Sequence, residues 1–270
     1  MPLAVCATPI GNLADVTLRV LDELREADLV LCEDTRHTGV LLARHGIEAR
    51  ALQSYHRHNE ARRIAELLPR LAAGDRVALV SDAGLPGVND PGLRLVRAAL
   101  EAGVPVTVLP GPTAAAAALV LSGFEAEQFR FLGWLPRRAA EREALWAELA
   151  GWPHPAVAFE SPQRLPASLA SLAAVDSGRD VVVCRELTKR FEEVVHGTAA
   201  ELARRFERPA RGEITVVIGP ATAAPAGGED AAAVAAVAEL TAAGAPRRVA
   251  ADVVARLTGV SRNQLYRRSL

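Results

Sequence analysis

Short runs of aliphatic and β-branched residues alternate with longer amphipathic stretches, and this alternation limits the fold more than any other feature of the chain. Residues 3–8, 29–32, 77–81 and 104–109 read as buried strands. Between them, residues 17–27, 59–73 and 91–102 carry helical spacing, with Thr17 placed to cap the first helix. Gly74 and Gly103 stand where a helix ends and the next strand begins. Strands joined by helices predict a mainly parallel sheet. After Gly123 the pattern restarts, with strands expected at 129–134, 156–159, 181–184 and 214–218. Residues 180–186 and 193–196 lie too close together for a long helix between them, which predicts an antiparallel pair and a mixed second sheet.

The predicted fold class is therefore α/β, with one α/β domain at 1–122 and a second at 123–220. An Ala-, Gly- and Pro-rich linker with one helix follows at 221–246, and a small basic helix-turn-helix-like hairpin at 247–270. In that last segment Ser261 and Gln264 have capping-box spacing.

Charge narrows the function classes. With 31 basic and 32 acidic residues and a formal net charge of −1, the whole chain is not a polycationic nucleic-acid binder. The balance is uneven, however. Arg247, Arg248, Arg256, Arg262, Arg267 and Arg268 face a single acid, Asp252, in the C-terminal hairpin. This tail is either a solvated cap or an RNA-contacting patch, since guanidinium groups bind phosphate well. The longest apolar run, 114–121, is too short to span a bilayer. The N-terminus has no basic region before an apolar core, so a cytoplasmic location is expected. Cys6, Cys32 and Cys184 stand alone in apolar runs without metal-ligand spacing and are expected to be buried, reduced thiols. A single lysine, Lys189, stands among 31 basic residues.

Four loops follow predicted strands, where open α/β sheets place their ligands. Residues 7–13 (ATPIGNL) form a Pro/Gly turn that is neither a Walker A loop nor a GxGxxG dinucleotide loop. Residues 33–38 crowd Glu33, Asp34, Arg36 and two hydroxyls together, either to cap a helix or to wall a substrate site. Residues 81–92 (SDAGLPGVNDPG) form a rigid, tightly turned loop whose Asp82 is suited to accept hydrogen bonds from hydroxyl or amino groups. Residues 110–117 (PGPTAAAA) place small side chains at a helix start capped by Thr113. The segment 55–60 (YHRHNE) is either an RNA-facing loop or a capped helix start, and no motif requires a metal.

In this order, these loops resemble the tetrapyrrole methylase superfamily of S-adenosylmethionine-dependent enzymes. Within it they are most similar to the branch that methylates ribosomal RNA. ATPIGNLADVTLR at 7–19, CEDTRHTGVLL at 32–42, SDAGLPGVNDPG at 81–92 and PGPTAAAAAL at 110–119 carry the likeness. FESPQRL at 159–165, RELTKRFEEVVHG at 185–197, GEITVVIG at 212–219 and the terminal VSRNQLYRRSL extend it across the chain. The resemblance implies a methyl donor, S-adenosyl-L-methionine, folded into the cleft between two α/β domains. It assigns that donor to Ile10, Ser81, Asp82, Leu85, Thr113 and Ala114, closed over by Ser161 and Leu187 of the second domain. It further implies 2'-O-methylation of a cytidine ribose in the decoding region of 16S rRNA within the 30S subunit, by a homodimer. Where the porphyrin enzymes have Gly-Gly-Asp-Pro, this chain has Val80-Ser81-Asp82-Ala83, which argues against a tetrapyrrole acceptor. A tetrapyrrole methyltransferase and a catalytically silent ribosome-bound protein stay open as alternatives.

A ribose hydroxyl is a poor nucleophile at neutral pH, so a base or charge stabiliser near it is expected. Glu33, Asp34, Arg36, Glu186 and Lys189 are the candidates. Lys189 serves as the base if burial or its neighbours Arg185 and Arg190 lower its pKa; otherwise it pairs with Glu186 or Glu192.

Overall fold

In the computed structural model, which describes residues 2–221 and 229–269, two separate five-stranded sheets form. The first contains β1 (Leu3–Cys6), β2 (Leu29–Cys32), β3 (Leu52–Ser54), β4 (Val77–Val80) and β5 (Val106–Leu109). Its order is β3-β2-β4-β1-β5 and every pairing is parallel. The three inner strands, β1, β2 and β4, are apolar throughout because both faces are covered, while the edge strands β3 and β5 carry Gln53, Ser54 and Thr107. Their period of two splits the core cleanly. Ala4, Cys6, Val30, Cys32, Ala78 and Val80 face α1 (Leu18–Glu26) and α2 (Thr35–Arg44). Leu3, Val5, Leu29, Leu31, Val77 and Leu79 face α3 (Glu60–Ala72) and α4 (Leu93–Glu101). Thr17 caps α1, its hydroxyl accepting from the Val20 N–H. The three cysteines are buried, and burial pushes the Cys6 and Cys184 thiols up to about 12.

The second sheet contains β6 (Arg130–Trp134), β7 (Ala156–Glu160), β8 (Asp180–Arg185), β9 (Glu193–Thr198) and β10 (Ile214–Ile218), in the order β6-β7-β10-β8-β9. It is mixed. β6 and β7 are parallel, while β10 runs antiparallel to both β7 and β8, and β8 and β9 form the expected antiparallel pair. α5 (Ala114–Ser122) leaves the first sheet after β5 and lays Ala115, Ala118 and Leu119 on Val157, Val182, Cys184 and Val217 of the second. One apolar helix thus joins the two sheets, and both belong to one compact unit comprising residues 1–147 and 154–220.

Residues 148–153 and 221–270 form a second unit. In it α9 (Glu229–Ala242), α10 (Arg247–Thr258) and α11 (Arg262–Arg268) bury Ala233, Val237, Ala250, Ala251, Val254 and Leu265 together. The basic tail therefore packs as part of three helices, with α9 completing what the sequence suggested as a two-helix hairpin. Gly259 ends α10 with φ +75, and Ser261 starts α11 without a side-chain cap. Part of the expected linker, 222–228, lies outside the described residues.

The short strand β3 has no counterpart in the sequence pattern, because three half-buried residues carry no usable period. The segment after it is structural. Tyr55 is 1% exposed and its hydroxyl donates to Glu60 Oε1 at 2.8 Å, while Asn59 Oδ1 accepts from the His56 N–H at 2.9 Å. The RNA-facing reading of 55–60 is therefore replaced, for Tyr55 and Glu60, by a buried turn into α3.

Candidate functional site

The carboxyl ends of β1, β4 and β5 all open into one cavity of about 340 Å³. Ile10 enters from the loop after β1, residues 82–85 and 88–90 from the loop after β4, and Thr113, Ala114 and Ala115 from the start of α5. The second sheet supplies Trp134, Phe159 and Thr215, which lie in one row across β6, β7 and β10. Leu187, Glu213 and Ile214 complete the wall.

Local chemistry explains each wall. Thr8 ties the first loop to the third: its N–H donates to Gly84 O at 2.8 Å and its hydroxyl to Ser81 O at 2.9 Å. Gly84 takes φ +79, a conformation glycine adopts without steric cost. Thr113 caps α5, its hydroxyl accepting from the Ala116 N–H at 3.2 Å. This leaves small alanines where a flat ring can lie.

The acids of the two neighbouring loops part company. Asp34 caps α2 and is gripped twice by Arg36, Nε to Oδ1 at 3.1 Å and Nη2 to Oδ2 at 2.7 Å. That guanidinium, with the Arg36 N–H, lowers the Asp34 carboxyl to about 2. Asp90, by contrast, is pushed up to about 6 by burial and by the facing carboxylates of Glu33 and Asp82, with Arg57 and the Ser81 hydroxyl pulling the other way. Glu33 is also raised, by burial first and then by Asp82, against the pull of Arg57 and His56. Asp82 Oδ1 accepts the Asp34 N–H at 3.1 Å, which fixes one loop against the other.

On the opposite side, residues 186–189 form a constrained turn. Glu186 and Thr188 both take left-handed backbone, φ +53 and +64, which for the β-branched Thr188 is a genuine outlier. Contacts on both flanks hold it. The Thr188 hydroxyl accepts the Asn12 N–H at 2.9 Å, and a Cβ on Gly11 would meet Lys189 Cγ at 2.5 Å. A Cβ on Gly212 would meet the Glu186 carboxyl carbon at 2.4 Å. Glu186 N–H donates to Glu213 O, and Glu213 N–H returns to Glu186 Oε1 at 2.9 Å. Lys189 Nζ donates to Glu186 Oε1 at 2.9 Å and to Glu213 Oε2 at 3.0 Å.

The structure thus gathers Ile10, Asp82, Leu85, Thr113, Ala114 and Leu187 on one cavity. It leaves two of the assigned donor residues off the wall. Ser81 is 3% exposed and its hydroxyl lies within reach of both Gly84 O and the Asp90 carboxyl, shaping the loop; the Ser161 hydroxyl accepts from Arg164. The acceptor candidates divide too. Asp34 and Arg36 neutralise each other at the surface, and Lys189 is paired with two carboxylates. Burial works to lower its pKa, but the hydrogen bonds to Glu186 and Glu213 outweigh it and raise the ammonium above its ordinary value. The neighbours that decide the matter are these two carboxylates, not Arg185 and Arg190. Glu192 instead accepts the Thr188 N–H.

Asn89, Asp90, Trp134, Phe159, Glu213 and Thr215 line the cavity without having been singled out. Asn89 and Asp90 left a trace inside the glycine-rich loop already read as functional, and Phe159, Glu213 and Thr215 only as members of the motifs at 159–165 and 212–219. Among the described residues that line the cavity are three carboxylates, Asp82, Asp90 and Glu213, and no arginine or lysine.

Residues 2–203 match the family model for tetrapyrrole (corrin/porphyrin) methylases. The chain is 46% identical to the ribosomal RNA small subunit methyltransferase I of Micromonospora olivasterospora, over 98% of this chain and 85% of that one. It is 40% identical to the protein of the same name from Escherichia coli O157:H7, over 99% and 94%. Among solved structures, the methyltransferase CobJ superposes with a TM-score of 0.63 at 21% identity, covering 81% of this chain and 94% of that one. A Thermus thermophilus uroporphyrin-III C-methyltransferase complexed with S-adenosylhomocysteine gives 0.57 at 21%, covering 80% and 96%.

Proposed function

The chain belongs to the tetrapyrrole methylase family and, within it, to the ribosomal RNA small subunit methyltransferase I family; on that premise we propose that it methylates the 2'-hydroxyl of a cytidine ribose in the decoding region of 16S rRNA. The observation that carries this reading is sequence identity with rRNA methyltransferases across nearly the whole chain, joined to a cavity whose chemistry fits the donor.

S-adenosylmethionine fits the residues present. When bound, it supplies a methyl group on a positively charged sulfur, poised for displacement. Three carboxylates without a cation among the described lining residues suit a sulfonium and an ammonium group. Asp82 and the Thr113 hydroxyl offer acceptors for ribose and amino groups, and Ile10, Leu85, Ala114 and Leu187 offer the apolar walls. The same acid lining is unsuited to a polycarboxylate tetrapyrrole.

Asp90 takes the acceptor's proton. Its carboxyl, raised to about 6, sits near the working pH, where a general base is most effective, and it lines the cavity. The acceptor oxygen would take the methyl group as the donor's sulfonium–methyl bond breaks and S-adenosylhomocysteine leaves, and the proton of its O–H bond passes to a carboxylate oxygen of Asp90. Lys189 acts one step away: it holds Glu213 and Glu186, and with them the turn that brings Leu187 to the wall. Arg248, Arg256 and Arg267 are exposed on the C-terminal helices and supply phosphate contacts to the RNA, while Arg262 pairs with Asp252. A homodimer working on the assembled 30S subunit in the cytoplasm completes the reading.

Incubation with S-adenosylmethionine and 30S subunits lacking the modification, followed by nucleoside mass spectrometry, tests it. The expected product is 2'-O-methylcytidine. Unmodified rRNA overturns the reading, and a methyl group on the base overturns its 2'-O part. Removal of residues 247–270 is expected to weaken 30S binding and flatten its salt dependence.

A further inference from the structure

Trp134 stands apart from the other aromatic residues of the cavity. It ends β6, which bulges at Gly133, and it is 53% exposed although it lines the site, whereas Trp146 is 3% exposed. An indole left half in water forgoes much of its hydrophobic stabilisation. Its neighbours do not cover it. Phe159 meets it edge-on, centroids 5.8 Å apart at 65°, and Phe131 in turn supports Phe159 at 5.2 Å and 72°. The ring is braced from one side and open on the other.

A hydrogen-bonding residue, Asn89, lines the same cavity as this ring. Asn89 takes φ +66, and Arg57 Nη2 donates to its carbonyl at 3.0 Å. Its amide sits against Gly133, which takes φ +67 and where an added Cβ would come within 2.8 Å of Oδ1, so a larger residue there would displace the amide. The Asn89 Nδ2 donor is buried and has no hydrogen-bond partner. An aromatic face with an amide at its edge is how proteins hold an unstacked base of single-stranded RNA. The acid lining adds a selection: a phosphate is repelled from the interior, so an RNA strand stays at the rim and admits only a neutral nucleoside.

We propose that Trp134 is the stacking platform for the extruded nucleobase of the acceptor, with the Asn89 amide at the base edge. This rests on the rRNA reading above and adds the residues that hold the acceptor. The flipped base on Trp134 brings its ribose toward Asp90, the next residue after Asn89 on the same wall.

The test pairs Trp134→Ala and Trp134→Phe with the unaltered protein. S-adenosylhomocysteine affinity is measured by calorimetry, and methyl transfer to unmodified 30S subunits by kcat/KM. Trp134→Ala is expected to lose roughly ten- to hundredfold in kcat/KM, the range for removing one base–aromatic stack. Its S-adenosylhomocysteine affinity stays at the wild-type level, which also shows that it is folded, and Trp134→Phe keeps most of the activity. An unchanged kcat/KM in Trp134→Ala overturns the platform. So does a loss of S-adenosylhomocysteine affinity, which places the donor's adenine on the indole instead. A wild-type protein that leaves 30S subunits unmodified overturns the rRNA reading itself, and this subsite with it.

Discussion

Two acidic loops leave adjacent parallel strands, one after β2 with Glu33 and Asp34, the other after β4 with Asp82 and Asp90. In the sequence they look alike. In the structure Asp34 is lowered to about 2 and Asp90 raised to about 6. The difference lies in where the nearest cation sits. Arg36, two residues on, folds back on Asp34 within the same exposed helix start. The β4 loop carries no cation of its own between 81 and 92, its backbone is fixed by glycines, and Asp90 is raised by burial first and then by the charges of Glu33 and Asp82. A carboxylate with a local partner becomes a cap. One that is partly desolvated, beside other acids and without a cation folded back on it, keeps proton affinity near neutral pH and can do chemistry.

The contrast is sharpest at Asp90. Asp90→Asn is expected to lower kcat roughly 10²–10⁴-fold and to abolish an acid limb near pH 6 in the rate profile. A variant that keeps its rate removes Asp90 from the chemistry. The sign of the linked stability effect runs the other way. A carboxyl raised on folding stabilises the native state below its ordinary value and loses that advantage as pH rises through the folded value. Asp90→Asn is therefore expected to be more stable than wild type at pH 7, with the gain vanishing below the ordinary aspartate range; denaturant melts at the two pH values check this.

Asp82→Ala comes next, because Asp82 both lines the cavity and holds the Asp34 N–H. It should weaken S-adenosylhomocysteine binding about ten- to hundredfold by calorimetry, the scale of a lost hydrogen bond to a charged group. Lys189→Met leaves Glu186 and Glu213 facing each other and should cost about 1.5–3 kcal/mol in urea unfolding. Lys189→Arg should keep measurable methyl transfer with an unchanged acid limb; complete loss in a folded Lys189→Arg would revive the lysine-base reading. Smallest is Asp34→Ala, which removes a surface cap and should leave kcat within about twofold of wild type while lowering the melting temperature slightly. A large loss there would mean the two loops are not so different after all.

Much of this was legible in the sequence, for identifiable reasons. The strands are short aliphatic runs with turn residues at both ends, so nine of them could be placed, while β3 is too short and too half-buried to show a period. The first-sheet wall of the cavity was legible because glycines, prolines and a helix cap mark it: Gly84 and Thr113 are needed for backbone reasons that a sequence displays. Trp134 was hidden, and the role of Phe159 with it, because both read as ordinary strand residues. Only the pairing of β6 with β7 and β10 sets them in a row beside a loop from the other sheet. Lys189 was found by its rarity, but its state depends on Glu213, 24 positions away, which no local pattern connects to it.

That rarity has a practical side. A lysine-specific protease has one bond to cut in 270 residues, after Lys189, in a turn held by Asn12, Glu192 and two carboxylates. Cleavage requires that turn to open and spread into an extended strand, so the appearance of two fragments is a clock for that single event. Ligands that bind against Leu187 should slow it, and the chain thereby carries its own site-specific probe of local opening, with no label attached.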